Sequence, residues 1–311
     1  MKLFSSIYDF YSTKKTVVTI GTFDGVHIGH KKIIQKIVQN CEKTDCESVL
    51  LTFFPHPRMV LQDGQDLKLL NTIEEKITLL KETGLQNLII HPFDYEFSRL
   101  TAEAFVEDIL IKKLNIQKII IGHDHRFGRN RTADINDLIQ FAAVYGFEVE
   151  QISAQEINEI SVSSTKIRTA LNEGNIQLAN DYLNYYYLLT GTVVKGKQLG
   201  RTIGFPTANL NINENYKLIP KIGVYIVKSI YNTKTVWGMM NIGYNPTVGG
   251  TTFSIEIHFL NFNEDLYGQK LSISVVASIR DEQKFESVTA LQEQLFKDKE
   301  FTISYQQNHG M

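Results

Sequence analysis

The chain has 311 residues, enough for two domains, and its 43% hydrophobic and 21% charged residues are the balance of an ordinary globular protein. A formal charge of −2 gives no chain-wide basic footprint for nucleic acid, although it leaves room for a local phosphate pocket. The opening MKLFSSIYDFYSTKK makes a poor signal peptide, and no stretch approaches the ~20 apolar residues of a membrane span, so a cytoplasmic protein is expected.

In chain order, VVTI at 17–20 predicts a short strand that runs into GTFDGVHIGH. KKIIQKIVQNCEK follows with Ile33, Ile34, Ile37 and Val38 at helical spacing. Cys41 and Cys46 lie close together there; one disulfide is conceivable, but free thiols of a reducing cytoplasm are the favoured reading. SVLLTFF at 48–54 predicts the next strand, stopped by Pro55-His56-Pro57. A helix over 73–83 closes at Gly84, LIIHPF at 88–93 is a strand, and 102–114 is a helix. KIIIGHDHRFG starts as a strand, DINDLIQFAAVYG is a helix ending at Gly146, and FEVEQIS at 147–153 is a strand. Strands separated by helices predict a parallel sheet, whose ligands sit beyond the carboxyl ends of the strands.

STKIRTALNEGNIQLANDYLN then reads as two helices, and the rhythm changes near 184–188. GVYIVKSIY, TVWGMMNIG, FSIEIHFLN and KLSISVVASI are strand-like runs with turn signals between them, as in a small antiparallel barrel or sandwich. VTALQEQLFKDKEF closes the chain as an amphipathic helix. The expected architecture is an α/β domain over 1–185, a parallel sheet with helices on both faces, followed by a small antiparallel β domain with a C-terminal helix over 186–311.

His27 and His30, three apart, share a helix face, so a metal pair, packed histidines and phosphate ligands are all open on spacing. No third metal ligand stands nearby in the usual spacing. Gly21, Gly25 and Gly29 let backbone approach a ligand closely, and the helix that follows offers free N–H groups and a positive dipole end to an anion. Two imidazoles there can donate hydrogen bonds to phosphate oxygens.

The stretch G-x-F-D-G-x-H-x-G-H, from Gly21 through Phe23 and Asp24 to His30, resembles the signature of nucleotidylyltransferases of the HxGH type. Val162-Ser163-Ser164-Thr165-Lys166-Ile167-Arg168 is similar to their I-S-S-T-x-x-R motif, with only the first position changed. The resemblance implies a Rossmann-like adenylyltransferase half. In it His27 and His30 would bind the triphosphate and stabilise the adenylyl-transfer transition state, and Ser164, Thr165 and Arg168 would hold the outer phosphates. Asp124 stands at the aspartate of the family's V-G-x-D-F-x-F-G stretch and would contact nucleotide or flavin. His56, at the same sheet edge, is a further candidate, while Asp24 is equally readable as a turn former.

GKQLGRTIGFPTANL at 196–210 resembles the signature of riboflavin kinases, as do NIGYNPTVGG, IEIHFLNFNEDLYG and IRDEQKF farther on. Here the resemblance implies that Thr207 and Asn209 hold Mg²⁺ with ATP and that Glu256 is the general base for the ribityl hydroxyl. Gly196, Gly200, Arg201 and Gly204 would form a flap over the phosphates, and Arg280 would clamp phosphate or flavin. By periodicity alone, Glu256 is an outward strand residue between Ile255 and Ile257, and Arg280 reads equally as a surface ion pair.

Together the motifs cover nearly the whole chain in the order of the bifunctional bacterial riboflavin kinase/FAD synthetases. The implied substrates and products are riboflavin, FMN, FAD and ATP, with Mg²⁺ as cofactor. No nucleic-acid or membrane partner is expected, and a monomer is the default. Phe54, His125 and Ala133 depart from the family pattern, all in the synthetase half. The rivals are a chain with only its kinase half active and a flavin-binding regulator that has lost catalysis. Against an RNA-binding regulator, the β half has Tyr225, Tyr231 and Trp237 but no dense Lys/Arg cluster.

Overall fold

The computed structural model describes residues 1–61, 67–122, 126–152, 162–196, 198–247 and 250–309. The chain divides into two compact units, Met1–Leu69 with Lys76–Ser163, and Leu70–Glu75 with Ser164–Met311.

In the first unit six strands form one parallel sheet in the order β1-β4-β3-β2-β5-β6. They are β1 (Lys2–Phe4), β2 (Lys15–Ile20), β3 (Cys46–Phe53), β4 (Asn87–His91), β5 (Ile116–Gly122) and β6 (Glu148–Ile152). Val17, Val18, Val49, Leu50, Leu51, Leu88 and Ile89 are all buried, which is why the central strands read as unbroken apolar runs. β1 was not expected, because three residues are too few to show a period. Three helices are α1 (Ile28–Glu42), α2 (Ile73–Lys81) and α3 (Ile135–Tyr145). α1 packs on β2, β3 and β5 through Ile33, Ile34 and Ile37. α3 starts at an Asp134/Asp137 capping box and ends at Gly146 in the left-handed conformation.

The helix expected over 102–114 is capped by Thr101, but after Ala104 it widens, so that the Leu114 amide reaches back five residues to the Ile109 carbonyl. Its apolar positions Phe105, Val106, Ile109 and Leu110 still face the core. The cysteines differ from expectation: Cys41 and Cys46 form a disulfide, their Cα atoms 5.0 Å apart.

The second unit contains α4 (Ser164–Glu173), α5 (Ile176–Leu183) and a closed antiparallel barrel ordered β10-β11-β8-β7-β12-β9. Its strands are β7 (Tyr187–Val194), β8 (Ala208–Asn211), β9 (Gly223–Tyr231), β10 (Lys234–Thr247), β11 (Gly250–Phe259) and β12 (Lys270–Asp281). Buried Asn180 ties α5 to the barrel by donating to the Val275 and Val276 carbonyls and accepting from the Tyr187 amide. The last helix, α6 (Val288–His309), runs two turns past the amphipathic stretch. Ile303 and Tyr305 pack there against Ile226, Trp237, Leu260 and Val276, and this burial outweighs the low helix propensity of Thr302 and Ile303.

The segment 70–75 joins this unit through a buried charge pair. Lys217 Nζ lies 2.6 Å from Glu75 Oε2 and donates to the Leu70 carbonyl at 2.6 Å. Glu75 also accepts from the Thr72 and Thr190 amides, both at 2.9 Å, and Lys217 lies over the Tyr187 ring. Every polar atom of the pair is thus engaged, as a buried ion pair requires.

Candidate active sites

In the first unit, β2 ends at the middle of the sheet and the chain must turn sharply into α1. Gly21 donates its amide to the Leu51 carbonyl of β3. The Thr22 carbonyl takes two side-chain donors, Lys76 Nζ at 2.7 Å and Thr52 Oγ1 at 3.1 Å. Phe23 and Val26 have positive φ, and Gly25, at φ 90°, takes the part of the turn that only glycine enters readily. With the Thr22 carbonyl held by these two donors, the corner is fixed where the chain leaves the strand.

His27 caps α1: its Nδ1 accepts the His30 amide at 3.4 Å, which leaves the ring proton on Nε2. The His27 and His30 rings stack at 3.6 Å between centroids, 16° from parallel, and Phe23 lies 4.6 Å from His30 on centroids. Gly29 is buried in the first turn of the helix. Burial pushes the His27 pKa down to about 4. Burial, then the charges of His27 and Lys76, hold His30 well below its usual value. His30 Nδ1 is buried and finds no hydrogen-bond partner among the described residues. Neutral imidazoles at a helix N-terminus can each donate a ring N–H to a phosphate oxygen, and in the same state they could ligate a metal. No group of three potential metal-ligating His, Cys, Asp or Glu occurs among the described residues.

Sequence reasoning missed Lys76. It is buried, and burial pulls its ammonium below the usual pKa while the charge of buried Asp24 acts the other way. The signal was present: Ile73, Lys76, Ile77 and Leu80 occupy one helical stripe, so the lysine sits at an apolar position. Asp24 does lie in the turn closed by the Val26 amide on the Phe23 carbonyl, and it is also buried, with its charge acting on Lys76. His56 is half-buried just beyond β3, its Nδ1 accepting the Arg58 amide at 3.1 Å. Asp124 and the departure at His125 lie outside the described residues. Of the other departures, Ala133 is buried in a two-way backbone bridge with Phe127, and Phe54 accepts the Phe93 amide.

In the second unit, Ser164 and Thr165 open α4 and Arg168 follows one turn on, half-buried, with no acidic side chain in that first turn. The helix is seated by Ile167, Ala170 and Leu171.

The barrel gathers the other motif. Ile255 and Ile257 are buried, so the strand alternation sends Glu256 to the opposite face, as periodicity required. It does not stand there alone. Thr207 Oγ1 donates to Glu256 Oε2 at 3.1 Å, and Ser254 Oγ to Oε1 at 3.3 Å. Asn209 pairs with Glu256 in the β8–β11 register, beside Val194 of β7. An ideal Cβ on Gly196 would fall 2.2 Å from Asn209 Nδ2, so a side chain there would displace the Asn209 carboxamide. Gly200 and Arg201 lie in a short helix, Leu199–Thr202, and Gly204 follows, exposed, at φ 80°. Thr207, Asn209 and Glu256 are hard oxygen donors with one carboxylate among them. That set fits Mg²⁺ held mainly by nucleotide phosphates and water rather than by a protein cage.

Arg280 is engaged otherwise than as a clamp. Its Nε and Nη2 form a bidentate pair with buried Asp298 of α6, Nη2 at 2.8 Å, and Nη1 donates to the Asp281 carbonyl. The ion pair foreseen as the alternative is present, and it is partly buried rather than superficial. The partner was not legible because it lies eighteen residues on, in another element. His258, two residues past Glu256, was also passed over; its Nδ1 is 2.8 Å from the Pro206 carbonyl.

A family profile described as FAD synthetase matches residues 10–166, and one described as riboflavin kinase matches residues 183–306. A curated relative from Listeria monocytogenes, a bifunctional riboflavin kinase/FMN adenylyltransferase, is 38% identical over 93% of this chain and 92% of its own length. A relative of the same description from Escherichia coli strain K12 is 34% identical over 96% of both chains. A solved structure described as a macrolide-efflux protein from Streptococcus pneumoniae superposes with a TM-score of 0.87 at 31% identity, over 97% of this chain and 98% of that one.

Proposed function

The chain belongs to the family of bifunctional riboflavin kinase/FMN adenylyltransferases, and from that membership we propose which residues carry each reaction. The protein transfers the γ-phosphoryl group of ATP to riboflavin, giving FMN, and then joins FMN to the adenylyl group of a second ATP, giving FAD and pyrophosphate. We assign the adenylyl transfer to 1–185 and the phosphoryl transfer to 186–311, a division drawn by motif.

In adenylyl transfer an FMN phosphate oxygen attacks the α-phosphorus of ATP, and the bond to the β-phosphate breaks. Neutral His27 and His30 at the start of α1 donate hydrogen bonds to the phosphates as charge shifts toward pyrophosphate. Ser164, Thr165 and Arg168 supply hydroxyls and a guanidinium fork for the outer phosphates. Gly21, Phe23 and Gly29 shape the corner, Asp24 balances Lys76 beneath it, and His56 and Asp124 are assigned to the substrate side.

In phosphoryl transfer Glu256 takes the proton of the ribityl 5′-hydroxyl as its oxygen attacks the γ-phosphorus. Thr207 and Asn209 would hold Mg²⁺, which when bound neutralises charge on the nucleotide phosphates. Gly196, Gly200, Arg201 and Gly204 form the loop that lies over those phosphates. Arg280 is assigned to anchoring α6 instead of to the substrate. The cytoplasm, where ATP is at hand, is the proposed location, and the protein is taken as a monomer.

The observation that carries this reading is the Thr207–Glu256 hydrogen bond, which joins the proposed metal ligand to the proposed base. An efflux role, suggested by the description of the structural neighbour, finds no helix long and apolar enough to cross a membrane among the described residues. The test is to incubate the protein with riboflavin, ATP and Mg²⁺ and to resolve flavins by chromatography. The wild type makes FMN and then FAD. Glu256→Gln makes no FMN but still converts added FMN to FAD. FMN formation by that variant at the wild-type rate sinks the assignment.

A further inference from the structure

We propose that His258 is a positioning residue of the kinase reaction, fixing the Pro206 carbonyl so that Thr207 keeps its hydroxyl on the Glu256 carboxylate. This rests on the assignment of Thr207 and Glu256 above.

Ser254, Glu256 and His258 alternate on one face of β11, while Ile255, Ile257 and Phe259 are buried on the other. Two of these side chains therefore hold two consecutive residues of the same turn. Glu256 accepts the Thr207 hydroxyl at 3.1 Å, and His258 Nδ1 lies 2.8 Å from the Pro206 carbonyl. A carbonyl can only accept, so Nδ1 carries the proton there.

The Pro206 carbonyl belongs to the peptide plane from which the Thr207 side chain departs, so holding that oxygen fixes the plane. Proline has no N–H of its own with which to tie the turn at this point. The ring also serves as a wall: Phe205 is buried edge-on against His258 at 5.2 Å between centroids and against Phe296 of α6 at 5.1 Å. From one face of β11, His258 thus holds the Pro206 carbonyl while Glu256 receives the Thr207 hydroxyl.

The carboxamide nitrogen of asparagine reaches the place of Nδ1, whereas that of glutamine reaches the place of Nε2. Riboflavin phosphorylation is therefore measured with ATP varied for the wild type and for His258→Asn, His258→Gln and His258→Leu. Conversion of added FMN to FAD is measured in the same preparations. The leucine and glutamine variants are expected to lose about tenfold in kcat/KM for ATP, the size of one ordinary net hydrogen bond, with KM for riboflavin unchanged. The asparagine variant should retain the wild-type value. The proposal is overturned if His258→Asn falls as far as His258→Leu, or if His258→Leu loses nothing. Should the leucine chain not fold, the contrast between asparagine and glutamine decides in the same way. Glu256→Gln, assayed alongside, separates the two failures: if it still makes FMN, the kinase-site reading fails and this proposal with it. If it is inactive and the asparagine rescue is missing, only the role of His258 fails.

Discussion

His27 and His30 stack face to face, 3.6 Å between ring centroids, while His27 Nδ1 accepts the amide of His30. One histidine thus caps the helix that carries the other. Stacking at this distance disfavours charge on both rings at once, and burial disfavours it on each. Both rings are therefore neutral near pH 7, and the proposed role for them is as hydrogen-bond donors.

Replacing either histidine with alanine should lower FAD formation from added FMN by 10²–10³-fold, the usual cost of one preorganised donor to a developing anion. FMN formation from riboflavin should persist. Initial rates of the two reactions in one preparation check this; parallel loss of both would count against separate sites.

The depressed histidine pKa makes stability depend on pH. The unfolded chain binds a proton at His27 near pH 6.5, whereas the folded chain holds off until about pH 4. Between those values the unfolded state binds more protons, so stability is full above about pH 6.5 and falls as the pH drops toward 4, by ~3 kcal/mol for this residue. His30 and His91, also lowered by burial, act in the same direction. Urea unfolding from pH 7.5 to 4.5 reads the slope. His27→Asn keeps a capping side chain but cannot titrate, and it should flatten the curve.

Glu75→Ala removes the carboxylate partner of Lys217 and leaves its buried ammonium without that counter-charge, while the Leu70 carbonyl and the Tyr187 ring remain. A loss of about 3–5 kcal/mol is expected. Replacing both members by apolar residues of similar volume should cost much less. Equal costs in chemical denaturation would mean that the pair's charge is not what matters.

Arg280→Lys keeps the charge but loses the planar fork that grips Asp298. The expected result is a lower melting temperature, about 1–2 kcal/mol in stability, with KM for riboflavin unchanged. A raised KM in a fully stable variant would restore the clamp foreseen from the motif.

Much of the architecture was legible because its causes are local. Apolar runs such as Val17–Ile20 and Val49–Leu51, broken by helical spacing, announce a parallel sheet wherever they occur. The alternation around Glu256 correctly assigned its face. The sharp corner at Gly21–His30 was legible because glycines and a helix start stand within ten residues. Other features were misread because the deciding contacts were out of view. The lysine in the apolar stripe of α2 was visible, but not the Thr22 carbonyl that it serves. The widening after Ala104 leaves no mark on a pattern whose apolar positions stay buried either way.

By itself, then, the sequence determined the order of a parallel α/β half and an antiparallel half, and where along the chain the family's motifs lie. Period, turn residues and motif spacing act over a few residues and need no partner. Only the tertiary structure decided what each charged or polar side chain does. Lys217 meets Glu75 across 142 residues, Arg280 meets Asp298 across 18, and His258 meets Pro206 across 52. A buried polar group is tolerated only with its partners, and those are chosen by how distant segments pack.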